Sequence, residues 1–115
     1  MPTKLDKVDD EALRGRLQGA HQMLRQNKPS EAVKELSEIF LSMLDSHPEI
    51  LDATVPMRGM QMPIVMRWPA LGANLVPESV RERKPRIDFV RDRFALSEAI
   101  TYYEFTVDTA IDQGL

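Results

Sequence analysis

The chain has no cysteine, so no disulfide can staple it and no thiolate can ligate a metal. Its two histidines, His21 and His47, stand far apart and do not form a metal-site signature. Aromatic residues are sparse at 6%, with Trp68 the single tryptophan, which leaves few stacking platforms for single-stranded nucleic acid. No apolar run approaches the ~20 residues that cross a bilayer, so no membrane association is expected. The N-terminal stretch M-P-T-K-L-D-K-V-D-D lacks an apolar segment and soon turns acidic, which argues against a secretory signal. Phosphate-binding glycine loops, dinucleotide-type glycine patterns and nucleophile elbows are all missing. These absences lead us to expect a cytoplasmic protein with no cofactor, no metal and no catalytic residues.

What is present fits one domain over residues 1–115, with 43% hydrophobic content. Leu13, Leu17, Ala20 and Leu24 recur at helical spacing, and Asp6, Asp9, Asp10 and Glu11 crowd the start, where exposed amides favour negative charge. A helix is expected over 6–27. Asn27-Lys28-Pro29-Ser30 breaks the pattern, with Ser30 expected as the next N-cap. A second helix is expected over 30–46, its apolar face built from Ala32, Val33, Leu36, Ile39, Phe40, Met43 and Leu44. The short connection predicts an antiparallel helical hairpin. A third helix is expected over 97–113, capped by Ser97 and Gly114, with a stripe of Ala99, Ile100, Tyr103, Val107, Ala110 and Ile111. The predicted fold is all-α: a small bundle of that hairpin and the C-terminal helix, joined by an irregular Pro/Met-rich connector over 55–86.

Four of the seven methionines fall inside that connector, at Met57, Met60, Met62 and Met66, closely followed by Trp68. Methionine is flexible and polarizable, and suits either an irregular core plug or an adaptable contact surface. With Arg58 and Arg67 beside it, the composition matches what interface cores enrich. The M-x-x-M-x-M spacing is also compatible with thioether ligation of Cu(I), a reading ranked well below a core plug or partner groove.

Net charge is −3, unevenly spread. Residues 56–93 carry eight basic and four acidic side chains, whereas 94–115 carry four acids and no base. Asp108 and Asp112 sit at the negative end of the last helix, an unfavourable place for a carboxylate. Arginines of the central segment, Arg81, Arg83 and Arg86, would relieve it, so charge-matched self-association as a homodimer is expected.

The segment Lys28-Pro-Ser-Glu-Ala-Val33 is loosely similar to a tetratricopeptide helix pair, but no second copy follows. Arg16-Leu-Gln-Gly-Ala-His21 resembles the R-x4-H ribonuclease motif of HEPN domains, small all-helical dimers. That resemblance implies an arginine stabilising phosphate charge and a histidine handling protons. Residues five apart on a regular helix point about 140° from each other, which departs from a shared site. The favoured expectation is a non-enzymatic protein–protein interaction module or accessory subunit, binding a partner protein through Met57, Arg58, Met60, Met62, Met66, Arg67 and Trp68. The alternative is a small helical ribonuclease or nucleic-acid-binding regulator.

Overall fold

The computed structural model describes residues 4–67, 73–77, 85–89 and 92–115. The chain divides into two units, Met1–Phe40 with Asp92–Leu115, and Leu41–Arg91. The described residues are mostly helical, with three α-helices and two small antiparallel ribbons, so the all-α expectation holds only in its helical part. No helix among them is long and apolar enough to cross a membrane.

In the first unit, helix α1 spans Glu11–Arg25. It starts later than expected because Asp10 takes the N-cap, its carboxylate accepting the Leu13 N–H at 3.0 Å. Residues Lys4–Lys7 form a separate 3-10 turn, and Arg14 Nη1 donates to the Val8 carbonyl at 2.7 Å, closing the entry segment onto α1. The helix ends in a Schellman arrangement. Asn27 sits at φ 58°, the Lys28 N–H reaches the Met23 carbonyl and the Asn27 N–H that of Leu24.

Helix α2 spans Pro29–Ser46. It begins at proline, which is tolerated in a first turn because its missing N–H has no helical acceptor. Ser30 is therefore inside the helix and is not its cap. Its Oγ instead accepts the Phe94 N–H at 3.2 Å, across 64 residues of sequence. Helix α3 spans Leu96–Asp112. Here too the expected Ser97 cap is corrected: the chain turns at Ala95, whose N–H donates to Glu98 Oε1 at 3.0 Å. Its C-terminus closes on Gly114 at φ 73°, with the Leu115 N–H on the Ala110 carbonyl.

The core of this unit includes Val8, Leu17, Ala20, Val33, Leu36, Ile39, Phe40, Ala99, Tyr102 and Val107, all essentially without exposed surface. Each large side chain so buried contributes about 1.5–3 kcal/mol relative to exposure. The face that α3 turns inward differs from the expected stripe: Ile100 is 39% exposed, and Tyr102, Thr106 and Thr109 are buried. The two threonines are admitted because their hydroxyls donate to carbonyls one turn back, Thr106 to Tyr102 (2.8 Å) and Thr109 to Phe105 (2.7 Å). A buried hydroxyl so satisfied costs little, and its methyl packs as an apolar group. Phe94 meets Tyr102 edge-on with ring centroids 5.9 Å apart.

In the second unit, the connector expected to be irregular contains two ribbons. Strand β1 (Thr54–Met57) pairs antiparallel with β2 (Met60–Pro63), and β3 (Ala73–Pro77) with β4 (Pro85–Phe89). Prolines suggested a broken chain, and the register shows why strands form regardless. A two-residue loop makes its flanking pair, Met57 and Met60, a hydrogen-bonded one, and such pairs alternate along an antiparallel ladder. Pro56 and Pro63 then fall in the non-hydrogen-bonded pairs with Gln61 and Thr54, where no ladder N–H is required. The alternation continues one step further, with the Ile64 N–H on the Ala53 carbonyl at 2.8 Å. Ile50, Val55 and Ile64 are the buried residues of the 3-10 turn Pro48–Asp52, of β1 and of the 3-10 turn Ile64–Met66. Residues 78–84 of the expected connector lie outside the described residues.

Candidate functional site

The β1–β2 hairpin gives the methionine run a definite shape. Arg58 and Gly59 both have positive φ, 51° and 78°, which is the mirror-image turn that suits the twist of a hairpin. The cross-strand pairs Val55–Met62 and Met57–Met60 place these four side chains on one face. Thr54, Pro56, Gln61 and Pro63 occupy the other, where the Thr54 hydroxyl donates to Gln61 Oε1 at 3.1 Å. One face is thus wholly apolar, and it grades outward: Val55 is buried, Met57 and Met62 are half-buried, and Met60 at the tip is 65% exposed. Met66, in the 3-10 turn after β2, is 44% exposed. Arg58 is exposed and Arg67 half-buried, while Trp68 lies outside the described residues.

Of the residues expected to serve self-association, Arg81 and Arg83 lie outside the described residues. Arg86, on β4, forms a two-pronged pair with Asp88, with Nε–Oδ1 at 3.0 Å and Nη2–Oδ2 at 3.1 Å. Asp108, on α3, is approached by Lys4 of the N-terminal turn at 3.3 Å, and Asp112 is exposed. A cation does reach the acidic end of α3, and it comes from the chain's own beginning.

Arg16 and His21 engage different neighbours. The Arg16 guanidinium is 3.8 Å from Glu35 of α2, whereas the His21 ring lies against Tyr103 of α3, centroids 5.3 Å apart. Five residues of helix separate the two side chains by direction as well as by distance. His21 and Tyr103 instead share a shallow cleft of about 180 Å³ with Lys4, Glu104 and Asp108. That volume is below the ~300 Å³ at which ligand pockets usually begin. Burial pushes the Tyr103 hydroxyl above its ordinary pKa. His47 is the N-cap of the 3-10 turn Pro48–Asp52 without a side-chain cap hydrogen bond, and its Nδ1 stands 3.4 Å from Glu49 Oε1.

No cluster of three or more His, Cys, Asp or Glu side chains suited to a metal ion occurs among the described residues. No family model, curated protein or solved structure matches the chain.

Sequence reasoning singled out the methionine run but not its folding into a ribbon. The available signal was Gly59 at the second position of a two-residue loop, weakened because Arg58 replaces the usual Asn or Asp. The grouping of Lys4, His21 and Tyr103 had no local signal, since it joins three distant stretches of chain.

Proposed function

We propose that the chain is a non-enzymatic interaction module, and that the apolar face of the β1–β2 hairpin docks a partner protein. The partner's matching surface is an apolar groove with an acidic residue at its rim, placed to meet Arg58. The observation that carries this reading is Met60: a large thioether 65% exposed at the tip of a ribbon whose same-face neighbours are all apolar. Unbranched methionines adapt to a partner's contours, and a central apolar contact with a rim arginine is the usual anatomy of an interface.

Arg58 adds independent support. A non-glycine residue in the left-handed region costs roughly 1 kcal/mol or more, and Asn or Gly would hold this turn more readily. A strained, exposed arginine at the tip fits a role in contacting the partner. In the first unit α1 and α2 are read as an antiparallel pair, supported by the Arg16–Glu35 approach on either side of the Asn27 turn. The divergent surroundings of Arg16 and His21 favour binding over a ribonuclease centre.

The test compares two exposed apolar side chains. Proteins recovered with the wild-type chain should be lost with Met60→Asp and retained with Ile100→Asp on α3. Recovery that is equal with both variants would refute the hairpin as the contact.

A further inference from the structure

The methionines of the hairpin also form a set of donor atoms. In an extended peptide the spacing M-x-x-M-x-M scatters its sulfurs. The ribbon gathers them: Met57 faces Met60 across the turn, and Met62 follows Met60 two positions along β2 on the same face. Directly paired residues have Cβ atoms about 4.5–5.5 Å apart. Alternate residues of one strand are separated by about 6.6–6.8 Å. Each sulfur lies two bonds beyond its Cβ on an unbranched arm, so three thioethers can converge above the ribbon without any backbone movement.

We infer that this face is a binding site for a soft monovalent cation, Cu(I), held by the thioether sulfurs of Met57, Met60 and Met62. Thioethers are neutral, soft donors, and they select Cu(I) over the harder divalent ions that require carboxylate, carbonyl or imidazole ligands. Val55, the fourth residue of the face, offers no oxygen or nitrogen to compete. The hydroxyl and amide oxygens of Thr54 and Gln61 are directed to the opposite face and to each other. The exposed Met60 gives the ion a way in, and the half-buried Met57 and Met62 hold their sulfurs where water reaches them less. This site uses the same side chains as the docking face but does not depend on any protein partner.

The full chain is titrated with Ag(I), a redox-inert stand-in, and with Cu(I) kept reduced by ascorbate against a chromophoric Cu(I) chelator. Methionine methyl NMR resonances report which thioethers respond. Saturation is expected at one ion per chain, with shifts at Met57, Met60 and Met62 and none at Met23 or the buried Met43. Met60→Leu conserves volume at an exposed position, so the fold persists while affinity falls at least about tenfold. Thioethers release no proton, so affinity stays level between about pH 5 and pH 8, whereas adventitious binding to imidazole or carboxylate ligands weakens with acid. Unmoved resonances at the three methionines, or shifts that survive Met60→Leu, or binding lost on acidification, would each overturn the assignment.

Discussion

The helical unit and the β1–β2 hairpin treat their apolar side chains in opposite ways. Around α1 and α3, the apolar residues close on one another, and even the hydroxyls of Thr106 and Thr109 are satisfied within their own helix. In the hairpin, Val55 is covered while the methionines beyond it become progressively more exposed. The first arrangement removes apolar surface from water and yields stability; the second leaves it available for contact. Large effects on folding and large effects on binding should therefore map to different residues.

The sharpest break in that comparison is Tyr102→Ala. Tyr102 is fully buried against Phe94, and its truncation should cost about 3–5 kcal/mol in urea or guanidinium unfolding. Met60→Ala should fall within about 0.5 kcal/mol of wild type in the same experiment. A comparable loss at Met60 would show that the hairpin face is core after all.

Next in size is Ser30→Ala, which removes the acceptor for the Phe94 N–H and should destabilise by about 1–2 kcal/mol. A neutral result would mean that this long-range bond is replaced by water. Smaller and opposite in sign is Arg58→Asn, which relieves the left-handed strain and should raise hairpin stability by roughly 0.5–1 kcal/mol, read as slower amide exchange in β1 and β2. The same substitution should weaken partner binding, and a gain in both would detach Arg58 from recognition.

The mildest test uses pH. Tyr103 is held above its ordinary pKa by burial, so the folded state keeps its proton after the unfolded chain has lost it. The associated stability is complete below about pH 10 and declines as pH rises through the higher folded value. Tyr103→Phe should remove a late-titrating hydroxyl from the tyrosinate absorbance of the native protein, and should lessen the fall of the denaturation midpoint across the same range.

Much of the helical part can be read from local sequence. The face of α2 is nearly the one that periodicity selects, and its end at Ser46 precedes His47-Pro48, where proline discourages helical dihedrals. The closing turns at Asn27 and Gly114 follow from which residues tolerate positive φ. The face of α3 is misread because hydropathy ranks Ile100 above Thr106, while packing ranks a threonine with a bonded hydroxyl as apolar. In the hairpin, proline counts as a strand breaker until the register places Pro56 and Pro63 where no ladder donor is needed. Of the candidate site, Met57, Met60, Met62 and Arg58 are visible as a composition, but their common face is not.

The three helices and the concentration of thioethers between residues 57 and 66 are legible in the sequence alone, because each depends on residues within a turn or two of one another. Which side of α3 turns inward, what Ser30 binds and that Met57, Met60 and Met62 share one face of a ribbon were decided only in three dimensions. Those outcomes depend on pairings between distant stretches, or on a strand register, whose energies no short window of sequence contains.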